Sequence, residues 1–215
     1  CIRDRSKKNG LNVGRGVSLG FCRNNSGPAS LVASVLPDGT ISLVEGYLEV
    51  GGSRTAIAKI MAEVLGLRSE DVIPQVGDTD SIGFTSVTGG SGVAYKSGWA
   101  AHEAAIDIKN QIVKRAATIW DKDETEVEYS SGLVRHKSDS ELKMSFKEIA
   151  SQLNDTGEPI MGKANVNPGG TTGSYSALIA DVQVDPETGK VDLLKPVSYT
   201  HLRAHETDSY LVCRL

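Results

Sequence analysis

Two short stretches of this 215-residue chain combine glycines with hydroxyl side chains, each where a strand pattern meets a helix pattern. The first stretch holds Gly51, Gly52, Ser53, Arg54 and Thr55, and the second holds Thr88, Gly89, Gly90, Ser91 and Gly92. Glycine lets the backbone approach a ligand closely, and hydroxyl and guanidinium groups donate hydrogen bonds. The unpaired N–H groups at a helix N-terminus attract negative charge. Two such loops therefore suit an elongated anionic ligand that carries a diphosphate.

The same loops have a simpler interpretation, in which each is a compact strand-to-helix turn with serine as the N-cap. The pattern alone favours this turn by a small margin. Neither loop has the Gly-Lys-Ser/Thr of a P-loop or the G-x-G-x-x-G that opens a dinucleotide-binding unit. The residues by themselves therefore indicate an anion- or dinucleotide-binding domain. A stand-alone module for a nucleotide or phosphorylated metabolite, without redox chemistry, remains the alternative.

Other polar residues are weaker candidates. Asp78 and Asp80 in "GDTDS" form either a carboxylate pair for acid–base work or an Asx turn, and the turn is favoured. Cys22 ends an apolar strand pattern and is expected to be buried, whereas His136 lies between two basic residues and is expected in a solvated loop. We assign no catalytic residue and no metal ligand.

The elements that position the loops are strands and helices in mixed order. Asp38-Gly39 predicts a hairpin with a type I′ turn. Apolar residues at helical spacing predict a helix over residues 53–65 that ends at Gly66, and a helix of about 25 residues after the second loop. Ser145 and Glu148 are in capping-box register. With hairpins later in the chain, the order predicts an α+β fold.

The composition excludes several classes of protein. A net charge of -4 disfavours nucleic-acid binding, and no apolar run approaches the roughly 18 residues that span a bilayer. No signal peptide is visible, and three scattered cysteines favour a reducing compartment. We therefore expect a cytoplasmic location, with the periplasm as the alternative.

The two ends differ from the rest of the chain. The chain starts at Cys1, so we expect a processed product or a piece of a longer chain. The stretch "VSYTHLRAHETDSYLVCRL", residues 197–215, resembles the translation of a sequencing adapter. We therefore expect a domain over residues 1–196 and a non-native tail over residues 197–215. The i, i+4 pair His201 and His205 is excluded as a metal site for this reason.

Three segments in order carry a family resemblance: "YLEVGGSRTAIAKIMAEVLGLRSEDVIPQVGDTDS", "TGGSGVAYKSGWAAHEAA" and "ADVQVDPETGKVDLL". They resemble the molybdenum-cofactor-binding large subunit of the xanthine dehydrogenase and aldehyde oxidase family, over residues 10–196. In the family motif V-G-Q-G-x-x-T, Gly51 matches the first glycine, and Gly52 and Ser53 replace the glutamine and the second glycine. Thr55 corresponds to the motif threonine with one intervening residue fewer. The resemblance implies that both loops contact molybdopterin, expected in its cytosine dinucleotide form.

The resemblance also implies an oxidoreductase activity. Family members hydroxylate a small-molecule substrate such as an aldehyde or N-heterocycle with oxygen from water, and electrons leave through iron–sulfur and flavin groups. The family's catalytic glutamate lies in a G-x-G-E motif that this sequence lacks, so the fragment alone is expected to be inactive. Its cysteines are too few to bind a [2Fe–2S] cluster, so we expect [2Fe–2S] and FAD on partner subunits.

Overall fold

A computed structural model describes residues 12–78, 80–170 and 172–199 of the chain. The described residues divide into two compact units, one formed by residues 12–24 and 172–199 and the other by Asn25–Gly170. The first unit contains an antiparallel sheet in the order β1-β9-β10. Its strands are β1 (Val13–Asn24), β9 (Thr172–Val184) and β10 (Val191–Tyr199).

The second unit contains a four-stranded mixed sheet and two long helices. The sheet has the order β4-β3-β2-β8, and only the pairing of β3 with β4 is parallel. The strands are β2 (Ala29–Val35), β3 (Ile41–Glu45), β4 (Val72–Val76) and β8 (Met161–Val166). The helices are α1 (Ser53–Leu65), between β3 and β4, and α2 (Val93–Trp120), which packs on β2 and β8.

A smaller antiparallel sheet and two short helices complete this unit. The sheet consists of β5 (Val127–Ser130), β6 (Leu133–His136) and β7 (Lys143–Ser145). The short helices are α3 (Phe146–Ser151), which begins with the predicted Ser145/Glu148 capping box, and α4 (Leu153–Thr156). The α+β prediction is confirmed.

The core of the second unit lies between the four-stranded sheet and the long helices. Ile57, Met61 and Leu65 of α1 are fully buried, and a stripe of small and branched residues along α2 is buried as well. Gly66 ends α1 in the left-handed conformation at φ 68°, as predicted. Alternation along β3 buries Ile41, Leu43 and Glu45, so a carboxylate occupies a core position at the end of this strand.

Several local predictions were wrong. The β2–β3 hairpin forms, but only Gly39 of the Asp38-Gly39 pair has a positive φ, so the turn is not type I′. Cys22 is exposed because the described part of its unit has no helix to cover the sheet. His136 is buried at the end of β6, where its Nδ1 accepts backbone bonds from Ser138 and Asp139.

The C-terminal end of β10 crosses the expected start of the tail. Val197 pairs with Ile179, and Tyr199 pairs with Ala177. The boundary at residue 197 therefore falls inside a strand. His201 and His205 lie outside the described residues.

Candidate functional site

A cavity of about 370 Å³ lies between the loop before α1 and the loop before α2. Small residues line it, and none of their side chains is charged. They are Val50, Gly51, Gly52, Ser53, Ala56, Thr88, Gly89, Ser91, Val93 and Ala94. The two glycine loops, far apart in sequence, therefore form the wall of one cavity.

Six of the ten residues predicted for the site line this cavity, and four do not. Those in the wall are Gly51, Gly52, Ser53, Thr88, Gly89 and Ser91. The remaining four are Arg54, Thr55, Gly90 and Gly92. The serine N-caps of the simpler turn interpretation do not occur, since Gly52 caps α1 and Gly92 caps α2 without a side-chain bond.

The N-terminus of α1 already holds a carboxylate from its own loop. Oε2 of Glu49 accepts a bond of 2.7 Å from the backbone N–H of Arg54 and a longer one of 3.4 Å from the Ser53 hydroxyl. The backbone bond from Arg54 is the main cause that lowers the pKa of Glu49. Nε of Arg54 lies 3.7 Å from the same oxygen. The Arg54 charge is thus paired with a carboxylate of the chain itself, so an incoming anion would compete with Glu49 for Arg54.

Different features of the structure explain why glycine occupies each of its three positions in the second loop. A Cβ added at Gly90 would collide with the Asn25 side chain, and Gly90 has a positive φ of 61°. A Cβ at Gly92 would collide with the Asn25 carbonyl. Gly89 has no positive φ, and a Cβ there would meet no atom within 4 Å. Packing therefore requires glycine at 90 and 92, whereas at 89 it only leaves the cavity open.

Hydrogen bonds join the two loops. The Tyr47 hydroxyl lies 2.6 Å from both the Pro28 carbonyl and the Ser86 hydroxyl. The Thr85 hydroxyl donates to the Gly46 carbonyl at 3.1 Å, and the Leu48 N–H donates to the Thr88 hydroxyl at 3.3 Å. These bonds fix the position of the segment before Gly51 relative to the segment before Gly89.

The family model of the molybdopterin cofactor-binding domain matches residues 3–200 of the chain. The chain belongs to this family. Its large-subunit resemblance is thereby confirmed. It is 28% identical over 191 residues to the probable hypoxanthine oxidase XdhD of Escherichia coli, and that match covers 85% of this chain and 20% of XdhD.

Two further relatives are subunits of larger enzymes. The nicotine 6-hydroxylase large subunit of Paenarthrobacter nicotinovorans is 24% identical over 163 residues, which cover 69% of this chain and 20% of that relative. A probable xanthine dehydrogenase subunit of Bacillus subtilis is 28% identical over 195 residues, which cover 83% of this chain and 24% of that relative. This cofactor-binding domain thus spans about a fifth to a quarter of the length of its relatives.

Solved structures share the fold of the domain. The CO dehydrogenase of Oligotropha carboxidovorans matches with a TM-score of 0.78 and 23% identity, over 93% of this chain and 27% of that one. Quinoline 2-oxidoreductase from Pseudomonas putida 86 matches with a TM-score of 0.73 and 19% identity, over 93% of this chain and 28% of that one.

The cavity of the cofactor-binding domain fits part of a molybdopterin. Its volume falls within the range of about 300–1,000 Å³ that is usual for ligand sites. No atom lies within 4 Å of a Cβ position at Gly51, Gly52 or Gly89, so a ligand can contact the backbone there. The Ser91 and Thr88 side chains add hydroxyls to the wall. A phosphate fits better at the second loop than at the first, where the Glu49 carboxylate would repel it.

Glu45 of the domain is a buried carboxylate without a hydrogen-bond partner for either oxygen. Burial raises its pKa to about 7, and the nearby Ser97 hydroxyl and Arg54 charge only partly oppose this. Ser97 Oγ and Arg54 Nε are also buried without hydrogen-bond partners. Glu45 therefore changes charge near neutral pH, beside the helix that carries the first loop.

Three residues of the site region were missed by the sequence reasoning. The role of Glu49 could have been predicted, because an acidic residue just before a helix interacts favourably with the helix N-terminus. The burial of Lys96 could also have been predicted, because Lys96 stands four residues before Ala100 and so lies on the buried face of α2. Asn25, which contacts Gly90 and Gly92, carried no signal in the sequence.

Asp78 forms an Asx turn, as favoured, with its Oδ1 accepting from the N–H groups of Asp80 and Ser81. Among the residues that the structure describes, no cluster of three or more His, Cys, Asp or Glu side chains suits a metal ion. None of the described helices is long and apolar enough to cross a membrane.

Proposed function

We propose that this chain forms part of the cofactor wall of a molybdenum hydroxylase that oxidises a small N-heterocycle or aldehyde with oxygen from water. The observation that supports this most is the single cavity lined by both glycine loops in a domain of the molybdopterin-binding family. The names of two relatives, nicotine 6-hydroxylase and probable hypoxanthine oxidase, favour an N-heterocycle over an aldehyde.

The contribution of this chain is binding and orientation. When bound, the cofactor supplies the redox-active metal at which substrate carbon is oxidised. Gly51, Gly52 and Gly89 leave the backbone accessible, and the Thr88 and Ser91 hydroxyls offer hydrogen bonds to the ligand. The bonds that join the two loops hold these groups in fixed positions before the ligand arrives, which limits the entropy lost on binding.

The further parts of the proposal rest on what the family resemblance implies. The cofactor is the cytosine dinucleotide form, and [2Fe–2S] and FAD are carried by partner subunits. The isolated chain is inactive because it lacks the G-x-G-E glutamate motif. A cytoplasmic location remains our proposal on the cysteine content.

The test is a content analysis of the 215-residue chain purified from a host that makes the cofactor. We expect oxidised pterin fluorescence after denaturation, and CMP after acid hydrolysis. Pterin without CMP would refute the cytosine dinucleotide form. A nucleotide without any pterin would overturn the proposal in favour of a stand-alone nucleotide-binding module.

A further inference from the structure

Lys96 is a buried lysine directly beneath the second glycine loop. It lies in the first turns of α2, and only 1% of its surface is exposed. Its Nζ donates hydrogen bonds to the Ser86 hydroxyl at 3.1 Å and to the Val87 carbonyl at 3.4 Å. The same Nζ lies 4.6 Å from the centre of the Tyr47 ring. The ammonium group thus contacts both segments that lead into the cavity wall.

No carboxylate in the described part of the chain forms an ion pair with Lys96. None of the ion pairs among the described residues includes it. Its partners are a hydroxyl, a carbonyl and an aromatic ring, all of them neutral. A buried cation is costly to the folded state unless an anion compensates it, which is why lysine is almost never fully buried without a partner. An anionic ligand nearby would supply that compensation.

The position of Lys96 links this charge to the cavity. Ser86 and Val87 immediately precede Thr88 and Gly89, which line the cavity. The first loop has the opposite arrangement, because its Arg54 is already paired with Glu49. The uncompensated positive charge of the site region is therefore behind the second loop.

We propose that Lys96 is a positioning residue for the cofactor, which holds the 86–89 segment in its binding conformation and balances the negative charge of a phosphate bound against that segment. This inference rests on the proposed function. This role differs from a purely structural one, because the ammonium group stabilises the liganded protein and destabilises the unliganded protein.

The test compares three variants of the full chain. Lys96→Met removes the charge and keeps the length of the side chain, and Lys96→Gln removes the charge but keeps a hydrogen-bond donor. Lys109→Met is the matched control, because Lys109 lies on the same helix with its Nζ 5.7 Å from the Tyr129 ring centre. The measurements are pterin content after purification, affinity for inorganic pyrophosphate by calorimetry at two salt concentrations, and the melting temperature of the ligand-free protein.

We expect both Lys96 variants to lose most of their pterin and to bind pyrophosphate at least tenfold more weakly, with less dependence on salt. Their ligand-free melting temperatures should be equal to or above that of the wild type, since a buried unpaired charge has been removed. Lys109→Met should match the wild type in pterin content and pyrophosphate affinity. If Lys96→Met does not fold, Lys96→Gln decides the question.

Two results would overturn the inference while leaving the proposed function intact. One is wild-type pterin content and pyrophosphate affinity in a folded Lys96 variant. The other is a fall in melting temperature that accounts for the lost binding, which would make Lys96 a structural residue only. A wild-type chain that carries no pterin would overturn the inference and the proposed function together.

Discussion

Gly89 and Gly90 are adjacent, yet the structure predicts opposite effects when each is replaced by alanine. In Gly89→Ala the new methyl group enters open space in the cavity, and the backbone needs no positive φ. The unfolded chain loses freedom, so the free energy of unfolding should stay level or rise by up to about 1 kcal/mol. The same methyl group blocks a ligand that contacts the backbone. We expect the cofactor affinity to fall at least about tenfold, which corresponds to ~1.4 kcal/mol.

Gly90→Ala should instead destabilise the protein. A left-handed conformation costs an alanine about 1–2 kcal/mol, and the added Cβ collides with Asn25, which must move. A total of about 2–3 kcal/mol is expected, since strained backbone positions cost on the order of 1–3 kcal/mol each. At roughly 2–4 °C per kcal/mol for a chain of this size, the melting temperature should fall by about 4–12 °C.

The assay is calorimetric melting of the cofactor-free protein beside the pterin content of the purified protein. Gly89→Ala should lose pterin without losing stability, and Gly90→Ala should lose stability first. Full pterin content in a folded Gly89→Ala variant would remove this loop from the site. An unchanged melting temperature in Gly90→Ala would refute the reasoning from φ and from the Asn25 contact.

Three further predictions concern the rest of the chain. Burial raises the pKa of Glu45 to about 7, so between about pH 4.5 and 7 the folded state keeps a proton that the unfolded state releases. The free energy of unfolding should therefore fall by on the order of 3 kcal/mol as the pH rises through this range. Glu45→Gln should abolish this pH dependence, measured by denaturant titration at several pH values. Tyr129→Phe removes a buried bond to the Leu65 carbonyl and should lower the free energy of unfolding by about 1–3 kcal/mol, measured by urea unfolding. Truncation after Tyr199 should leave the melting temperature unchanged, whereas truncation after Pro196 removes paired residues of β10 and should lower it. Equal melting temperatures of the two truncated proteins would support the boundary at residue 197.

Short-range sequence patterns predicted the helices and strands of the second unit well. The bounds of α1 are those predicted, because an apolar stripe and a terminal glycine are encoded within the helix itself. Pro74 lies in β4, which is an edge strand of its sheet, and proline within a sheet is confined to such positions. In each case the residues that decide the structure are neighbours in the sequence.

The parts that the sequence could not predict depend on tertiary contacts. The burial of Cys22 was expected from an apolar pattern, but a strand is buried only if another layer covers it. The pairing of Arg54 with Glu49 was missed, because the composition of the loop does not show which anion its guanidinium meets. The need for glycine at residue 90 comes from Asn25, far away in the chain. Gly89 and Gly90 look alike in sequence, and only the folded structure separates their roles.

The pairing of β1 with β9 has a consequence for synthesis on the ribosome. Val13 pairs with Gln183, so the whole of Asn25–Gly170 must be made before β1 meets its partner. At about 5–20 residues per second, β1 waits on the order of ten seconds. During that time the second unit can fold as a continuous segment, while β1 presents Leu19 and Phe21, which stay exposed even after folding. An unpaired strand of this kind is a template for association with other chains. The nascent chain should therefore depend on a chaperone at β1 until β9 has emerged.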